Sequence, residues 1–452
     1  MPQARENWGS RFGFVMAAAG SAVGLGNIWK FPYVTGENGG GAFLLIYLAC
    51  ILALGVPLIM AELAVGRGAR RSPVGAFRAL AGGAWPLVGM LGIFTGFIIL
   101  SFYIVVAGWT LAYVVFTASG QLTSTDPQAL GQAFGGFISG SYLPLGCAAL
   151  FMVATAGVVI GGISNGIERV SKLLMPLLFA LLIVLVFRVI TLPGAAQGLN
   201  FYLLPDWSRV SADTFTAAIG QAFFSLSLGM GALLTYGSYL NEQQHLPRSS
   251  LSVAGLDTGI AILAGFMILP AVFAFGFNPE SGPKLAFITL PAVFASMPAG
   301  VIFGVIFFLL LTVAALTSAV SLLEVVVTYL IDEWYLTRRR ATIVAALVCF
   351  AVGIPSALSQ GASDVFVING VPFLDWMVKL TDFLLPLGGM LTALCVGWII
   401  GPRAVALARG DRNGFPLATA WLWMLRLAVP AGIFWILKND LLALAVWLIA
   451  LL

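Results

Sequence analysis

The sequence predicts an all-α polytopic membrane protein of about eleven transmembrane helices. Of its 452 residues 60% are hydrophobic and only 9% are charged. Mean hydropathy is +1.02. The apolar residues come in runs of about 20, the length that crosses a hydrocarbon core of about 30 Å. No polar stretch is long enough to fold separately, so residues 1–452 read as one membrane domain, with none of the basic clustering of a nucleic-acid-binding protein.

The runs lie near 11–36, 41–66, 86–118, 142–161, 166–191, 213–240, 250–277, 298–331, 341–358, 376–401 and 416–437. The apolar residues 441–452 are too few to cross and read as an interfacial tail. The N-terminal residues lack the basic region and cleavage site of a signal peptide, so the first span is retained. With the N-terminus cytoplasmic, alternate loops put fifteen of the 22 Lys and Arg residues inside, Arg412 among them. Six, including Lys284, fall outside, and Arg426 is left within the last span. Positive charge marks the cytoplasmic side, so the protein sits in the cell membrane with its C-terminus outside. The cysteines Cys50, Cys147, Cys349 and Cys395 are dispersed in apolar segments, which argues against a metal cluster or a disulfide framework.

Two stretches break this pattern. Gly20-Ser21-Ala22-Val23-Gly24-Leu25-Gly26-Asn27 interrupts the first span, and Ser225-Leu226-Ser227-Leu228-Gly229-Met230-Gly231 interrupts the sixth. Each Gly weakens a helix interior by about 1 kcal/mol relative to Ala. A broken helix in lipid frees backbone groups that only protein, water, an ion or a substrate can satisfy. The breaks therefore read as a binding site. Gly20 and Gly24 also fit a small-xxx-small packing motif, and the second break tilts the choice toward binding.

Other signals carry two readings each. Glu62 in the second span is a structural acid bonded to freed backbone, or a proton relay; Glu324 in the eighth has no evident task. Asp257 is either a cation ligand or a helix N-cap. Residues 121–141 read as a polar, Gly-rich loop, and His245 as a solvated loop residue. Gly162-Ile163-Ser164-Asn165-Gly166 has the spacing of a nucleophile elbow but neither the strand before it nor a histidine nearby, so the chain is not read as an enzyme.

The run from Gly20 through Ile28-Trp29-Lys30-Phe31-Pro32-Tyr33 and Glu37-Asn38-Gly39-Gly40-Gly41-Ala42-Phe43 resembles the neurotransmitter:sodium symporter family, in its bacterial amino-acid branch. The likeness continues through Pro57–Arg67, Gly161–Glu168, the second break and Ala315-Leu316-Thr317-Ser318. It implies two inverted five-helix repeats, about 10–191 and 213–402, whose unwound helices 1 and 6 meet at mid-membrane, with an extra helix at 416–437. The placement of the breaks, each in the first span of a group of five, agrees.

The resemblance also implies a sodium-coupled symporter of hydrophobic or aromatic L-amino acids working by alternating access, with two Na+ ions. One ion is expected on the carbonyl of Ala22, the side chains of Asn27, Ser225 and Asp257, and the substrate carboxylate. The other is expected on the carbonyls of Gly20, Val23 and Ala314 and the hydroxyls of Thr317 and Ser318. Ala22, Leu25, Gly26, Ile99, Tyr103, Phe224, Ser225, Ser227, Met230, Ser318 and Leu322 are the expected substrate residues. Met230 stands where leucine-carrying members have phenylalanine, and a flexible thioether adapts to varied shapes. Chloride-dependent members carry a serine where this chain has Ala261; the fixed carboxylate of Asp257 supplies the negative charge instead, so no chloride is expected. The inner gate is expected at Arg5 and Asp332, braced by Trp8, Ser238 and Tyr239. The outer gate joins Lys30 to Asp375, with Asp382 as the alternative. Beyond substrate and membrane lipid no partner is evident. A proton-coupled carrier and a non-transporting amino-acid receptor of the same fold are the rival readings.

Overall fold

The computed structural model describes residues 5–277, 285–409 and 415–450. Lys284, Arg412 and the last two residues of the expected tail lie outside the described residues. Among those described, nine uninterrupted helices have the length and apolarity of a span: Gly41–Ala69, Pro86–Ala118, Tyr142–Ile160, Ile163–Ile190, Leu246–Ala274, Gly300–Trp334, Arg338–Leu358, Phe373–Ile400 and Ala418–Lys438. Two more are broken. The first span is Arg11–Ala22 followed by Gly26–Glu37, bent by 54°. The sixth is Ala212–Ser225 followed by Ala232–Gly237, each half too short to cross alone. Counting each broken pair once gives the eleven spans expected, numbered here in chain order.

Local chemistry sets several boundaries. Span 1 starts where the Ser10 hydroxyl accepts from the Gly13 N–H, and the first half of span 6 starts with a capping box on Ser211. His245 is not a free loop residue: its Nδ1 accepts the Arg248 N–H and caps span 7. Span 7 therefore begins at Leu246, which puts Asp257 about three turns inside the helix and removes the N-cap reading. The final helix runs from Val429 to Ala450, so the apolar C-terminal stretch continues span 11 and is no separate interfacial tail. Backbone hydrogen bonding inside a continuing apolar helix outweighs a break that no Gly or Pro demands. Residues 121–141 likewise contain a helix, Pro127–Ile138, begun by the Asp126 carboxylate accepting the Gln128 N–H. All four cysteines are free.

Spans 1, 2, 6 and 7 pack as one bundle, gripped by spans 3, 4, 8 and 9, in which span 3 runs along span 8. Span 10 lies between span 3 and span 11. The breaks face each other where the two groups meet.

The second break depends on glycine. Ser227, Gly229 and Gly231 have φ of 54°, 79° and 75°, and a Cβ on Gly229 would lie 2.2 Å from the Leu385 carbonyl oxygen of span 10. Positive φ favours glycine, and the approach of two backbones leaves no room for a methyl. Glu62 holds this turn from below, Oε1 accepting the Gly229 N–H at 2.8 Å, as the structural reading of that acid anticipates.

Gly229→Ala is expected to lower the melting temperature of the detergent-solubilised protein by several degrees, from strain and overlap of about 1–3 kcal/mol each. Gly220→Ala, where an added methyl meets nothing within 4 Å, is expected to leave stability unchanged or raise it. Thermal unfolding of the two variants in parallel separates local geometry from a general intolerance of span 6.

Candidate functional site

Unwinding at residues 23–25 redirects the hydrogen bonds of span 1. In a continuous helix the Gly24 N–H would bond the Gly20 carbonyl; here it donates to Asn27 Oδ1 at 3.1 Å. The Leu25 N–H donates to the Tyr103 hydroxyl at 3.3 Å. The carbonyls of Gly20 and Ser21 are thereby released. Ser318 Oγ of span 8 stands 3.4 Å from Gly20 O, 3.3 Å from Ser21 O and 3.0 Å from Val23 O. Ser227 Oγ donates to Ser21 O at 2.9 Å, and the single Ser318 proton cannot serve both remaining carbonyls, so this corner keeps unneutralised oxygen. Thr317 Oγ1 donates to Ala314 O at 3.0 Å one turn away. The five groups expected to hold the second sodium thus fall together. A hard cation bound by oxygens fits that donor set.

The three side chains of the first expected sodium set come together as well, around the buried carboxylate of Asp257. Asn27 Nδ2 donates to Asp257 Oδ1 at 2.7 Å, to Ser225 Oγ at 2.8 Å and to Asp257 O at 3.2 Å. Ser225 Oγ donates to Asp257 Oδ2 at 2.7 Å, and the Tyr47 hydroxyl donates to Ser225 Oγ at 3.3 Å. Among the described residues no Lys or Arg pairs with Asp257. Among the described residues the carboxylate is met by the Asn27 amide and the Ser225 hydroxyl and by no full countercharge. The side-chain oxygens of Asn27, Ser225 and Asp257 are of the type a hard cation prefers.

Between the breaks lies a small cavity lined by Ser21, Ala22, Gly24, Leu25, Gly26, Ile99, Tyr103, Phe224, Ser227, Met230, Ser318, Leu322 and Leu385. Its free space, about 30 Å³, admits about two water molecules. Every expected substrate residue lines it except Ser225. That residue ends a half-helix with its hydroxyl bonded to Asp257, so its side chain serves the carboxylate cluster and not the cavity. Leu385, Ser21 and Gly24 were not anticipated. Leu385 enters because Gly229 lets span 10 approach the break, a tertiary contact that no local pattern encodes. Among the described residues no acidic side chain lines the cavity.

The cavity is covered on both sides. Phe224 lies over it, so close to the backbone that a Cβ on Gly26 would meet its ring at 2.7 Å. Lys30 Nζ sits 4.4 Å above the centre of that ring. The outer pairing differs from expectation: Lys30 Nζ is 3.8 Å from Asp382 Oδ1, whereas Asp375 lines a wider vestibule above, together with Trp29, Trp109, Phe134 and Phe287. Both acids lie on one face of span 10, about two turns or 10 Å apart, and the lysine on span 1 is level with the deeper one.

The opposite side carries the expected inner contacts. Arg5 Nη1 donates to both oxygens of Asp332 at 2.7 and 2.8 Å, and Nη2 donates to Ser238 Oγ at 2.6 Å. The Arg5 guanidinium lies 4.8 Å from the centre of the Tyr239 ring. Trp8 Nε1 donates to Tyr236 O at 3.0 Å. Sequence reasoning missed a second clasp beside this one. Glu6 is 2.9 Å from Arg338 Nε and accepts the Ile163 N–H at 2.6 Å. Glu168 accepts from Gly9 N–H at 2.7 Å and Ser10 Oγ at 2.9 Å, with Lys172 Nζ at 2.6 Å. Arg338 also pairs with Glu324 at 2.8 Å, and Tyr239 donates to that acid at 2.6 Å. The signal lay in plain sight: two acids, Glu6 and Glu168, near the polar ends of apolar spans.

The chain matches the profile of the sodium:neurotransmitter symporter family over residues 5–129 and 145–446. It is 41% identical over 436 residues to the uncharacterized sodium-dependent transporter YhdH of Bacillus subtilis, covering 96% of this chain and 97% of that one. An uncharacterized sodium-dependent transporter of Haemophilus influenzae is 37% identical over 88% of this chain and 90% of its own length. The crystal structure of MhsT in complex with L-phenylalanine superposes with a TM-score of 0.88 at 48% identity, over 96% of this chain and 99% of that one. With two opposed helix breaks, bare carbonyls between them and agreement along nearly its full length, the chain belongs to the sodium:neurotransmitter symporter family and is a membrane transporter, not an enzyme.

Proposed function

We propose that this protein carries hydrophobic, including aromatic, L-amino acids into the cell by coupling each to two sodium ions. The observation that carries the reading is the placement of an apolar cavity against two clusters of unneutralised oxygen at the helix breaks. Ile99, Phe224, Met230, Leu322 and Leu385 offer dispersion contacts to an apolar side chain, and the absence of an acid among the lining residues disfavours cationic substrates. That a relative 48% identical was crystallised with L-phenylalanine supports the same class.

In this reading the amino-acid carboxylate lies at the N-terminal end of the Gly26–Glu37 half-helix, where partial positive charge collects, with the Tyr103 hydroxyl beside it. It completes the first sodium site of Ala22 O, Asn27, Ser225 and Asp257. The ammonium group faces carbonyls and hydroxyls around Ser21 and Ser227. The second ion is held by Gly20, Val23, Ala314, Thr317 and Ser318. Because Asp257 carries a fixed negative charge beside the first site, no chloride is needed to balance it. Phe224 with Lys30 and Asp382 closes the outer path, and Arg5 with Asp332, Trp8, Ser238 and Tyr239 closes the inner one. The charge bias of the loops supports a cytoplasmic N-terminus. Glu62 and Glu324, the two acids a proton-coupled carrier would use, are engaged by the Gly229 N–H and by Arg338 and Tyr239.

Reconstituted protein is expected to accumulate labelled L-phenylalanine, L-leucine or L-tryptophan under an inward sodium gradient, and not when choline or a proton gradient replaces it. Exchanging chloride for gluconate at constant sodium is expected to leave the rate unchanged; a steep rise with chloride refutes the role given to Asp257. Asp257→Asn keeps the shape and removes the charge, and is expected to cut uptake about ten-fold or more in chloride-free medium, equivalent to about 1.4 kcal/mol at the first site.

Lys30→Asp and Asp382→Lys are each expected to impair uptake, and the double exchange to restore it to about half of wild type, an exposed pair of this kind being worth under about 1 kcal/mol. Recovery by exchanging residues 30 and 375 instead would return the outer gate to Asp375.

A further inference from the structure

Arg426 is a cation inside a span, and such residues need a partner. It lies on a widened, π-helical turn of span 11, Met424–Ala428, which faces a second such turn, Cys395–Ile400, in span 10. Widened turns free main-chain acceptors, and Arg426 Nε donates to one of them, Gly397 O, at 2.8 Å. Trp398 Nε1 reaches the Arg426 carbonyl at 3.4 Å. The guanidinium carbon is 5.0 Å from the centre of the Trp398 ring and 5.2 Å from that of Trp423.

This pins the group without neutralising it. Among the described residues no carboxylate pairs with Arg426, and its two terminal nitrogens have no acceptor. Guanidinium has five N–H donors, and one is used. The Trp398 and Trp423 rings are 54% and 49% exposed, so the cradle opens outward, away from the transport cavity. Its depth follows from the chain. Arg426 stands about 12 Å beyond the start of span 11, and helical side chains lean back toward the N-terminus of their helix. Gly397 precedes by about 8 Å the exposed-Arg helix Pro402–Arg409. That helix lies on the N-terminal side of the protein, since Arg67 donates to Leu407 O and to Gln244 O, while the neighbouring Arg70 donates to Asn7. The cradle therefore sits at the boundary of hydrocarbon and headgroups, where Trp rings are favoured.

We propose that Arg426, Trp398 and Trp423 bind the phosphodiester of a glycerophospholipid in the leaflet on the N-terminal side. The two free guanidinium nitrogens meet two phosphate oxygens, the geometry that arginine matches best, and the indole rings flank the glycerol region. A bound lipid then staples span 10, which carries Leu385 and Asp382, to span 11.

Full-length protein stripped of lipid in neutral detergent is titrated with phosphatidylglycerol, and retained lipid is counted by native mass spectrometry. Wild type is expected to hold one lipid about ten-fold more tightly than Arg426→Gln, and not to fill that site with monogalactosyldiacylglycerol, which lacks phosphate. The variant Trp398→Leu/Trp423→Leu keeps the cation and is expected to weaken the same lipid about three-fold; it decides the matter should Arg426→Gln fail to fold. Equal retention by wild type and the folded variant overturns the proposal, as does equal binding of the galactolipid to wild type. Displacement of the lipid by millimolar inorganic phosphate also overturns it, by making the occupant a soluble anion.

Discussion

A main-chain group that leaves a helix within hydrocarbon must be met by something polar, because water is not there to meet it. This constraint organises the molecule. Once Gly24 and Leu25 turn their N–H groups to Asn27 and Tyr103, the oxygens they abandon need donors or cations. Ser318 and Ser227 approach those oxygens from span 8 and the second break. Glu62 does the converse for the second break, accepting an orphaned N–H. Each broken helix is thus completed by side chains from elsewhere, and an excess of oxygen remains between the breaks.

The same reasoning explains why buried acids in this protein have separate jobs. Glu62 serves backbone donors, Glu324 neutralises Arg338, and Asp257 faces only an amide and a hydroxyl. Asp257 is the one of the three without a full countercharge or a main-chain donor.

Much of this was legible in the sequence, for identifiable reasons. Spans announce themselves by length and apolarity, and the breaks by glycine clusters whose energetic penalty is out of place in a plain membrane helix. The cavity-lining residues and inner contacts came with the family resemblance, and Arg5, Asp332, Ser238 and Tyr239 do meet. What escaped was register and long-range contact. Asp375 and Asp382 lie on one helical face, so a one-dimensional motif could not decide which is level with Lys30. Leu385 reaches the cavity only because a glycine on another helix lets it approach. The cap at His245 and the helix at Pro127–Ile138 were hidden in polar stretches that carry no periodic apolar signal.

The clasp formed by Glu6 and Glu168 has a mechanical consequence. Residues 5–10 are bonded at once to span 6, to the span 8–9 corner and to the start of span 5. These bonds share one short tether, so losing any of them loosens its neighbours, and the segment behaves as a zipper with few stable half-open forms. Access from that face should accordingly be steeply cooperative. Its rate would be set by the first tooth to part and would be sensitive to changes within residues 5–10, far from the transported molecule.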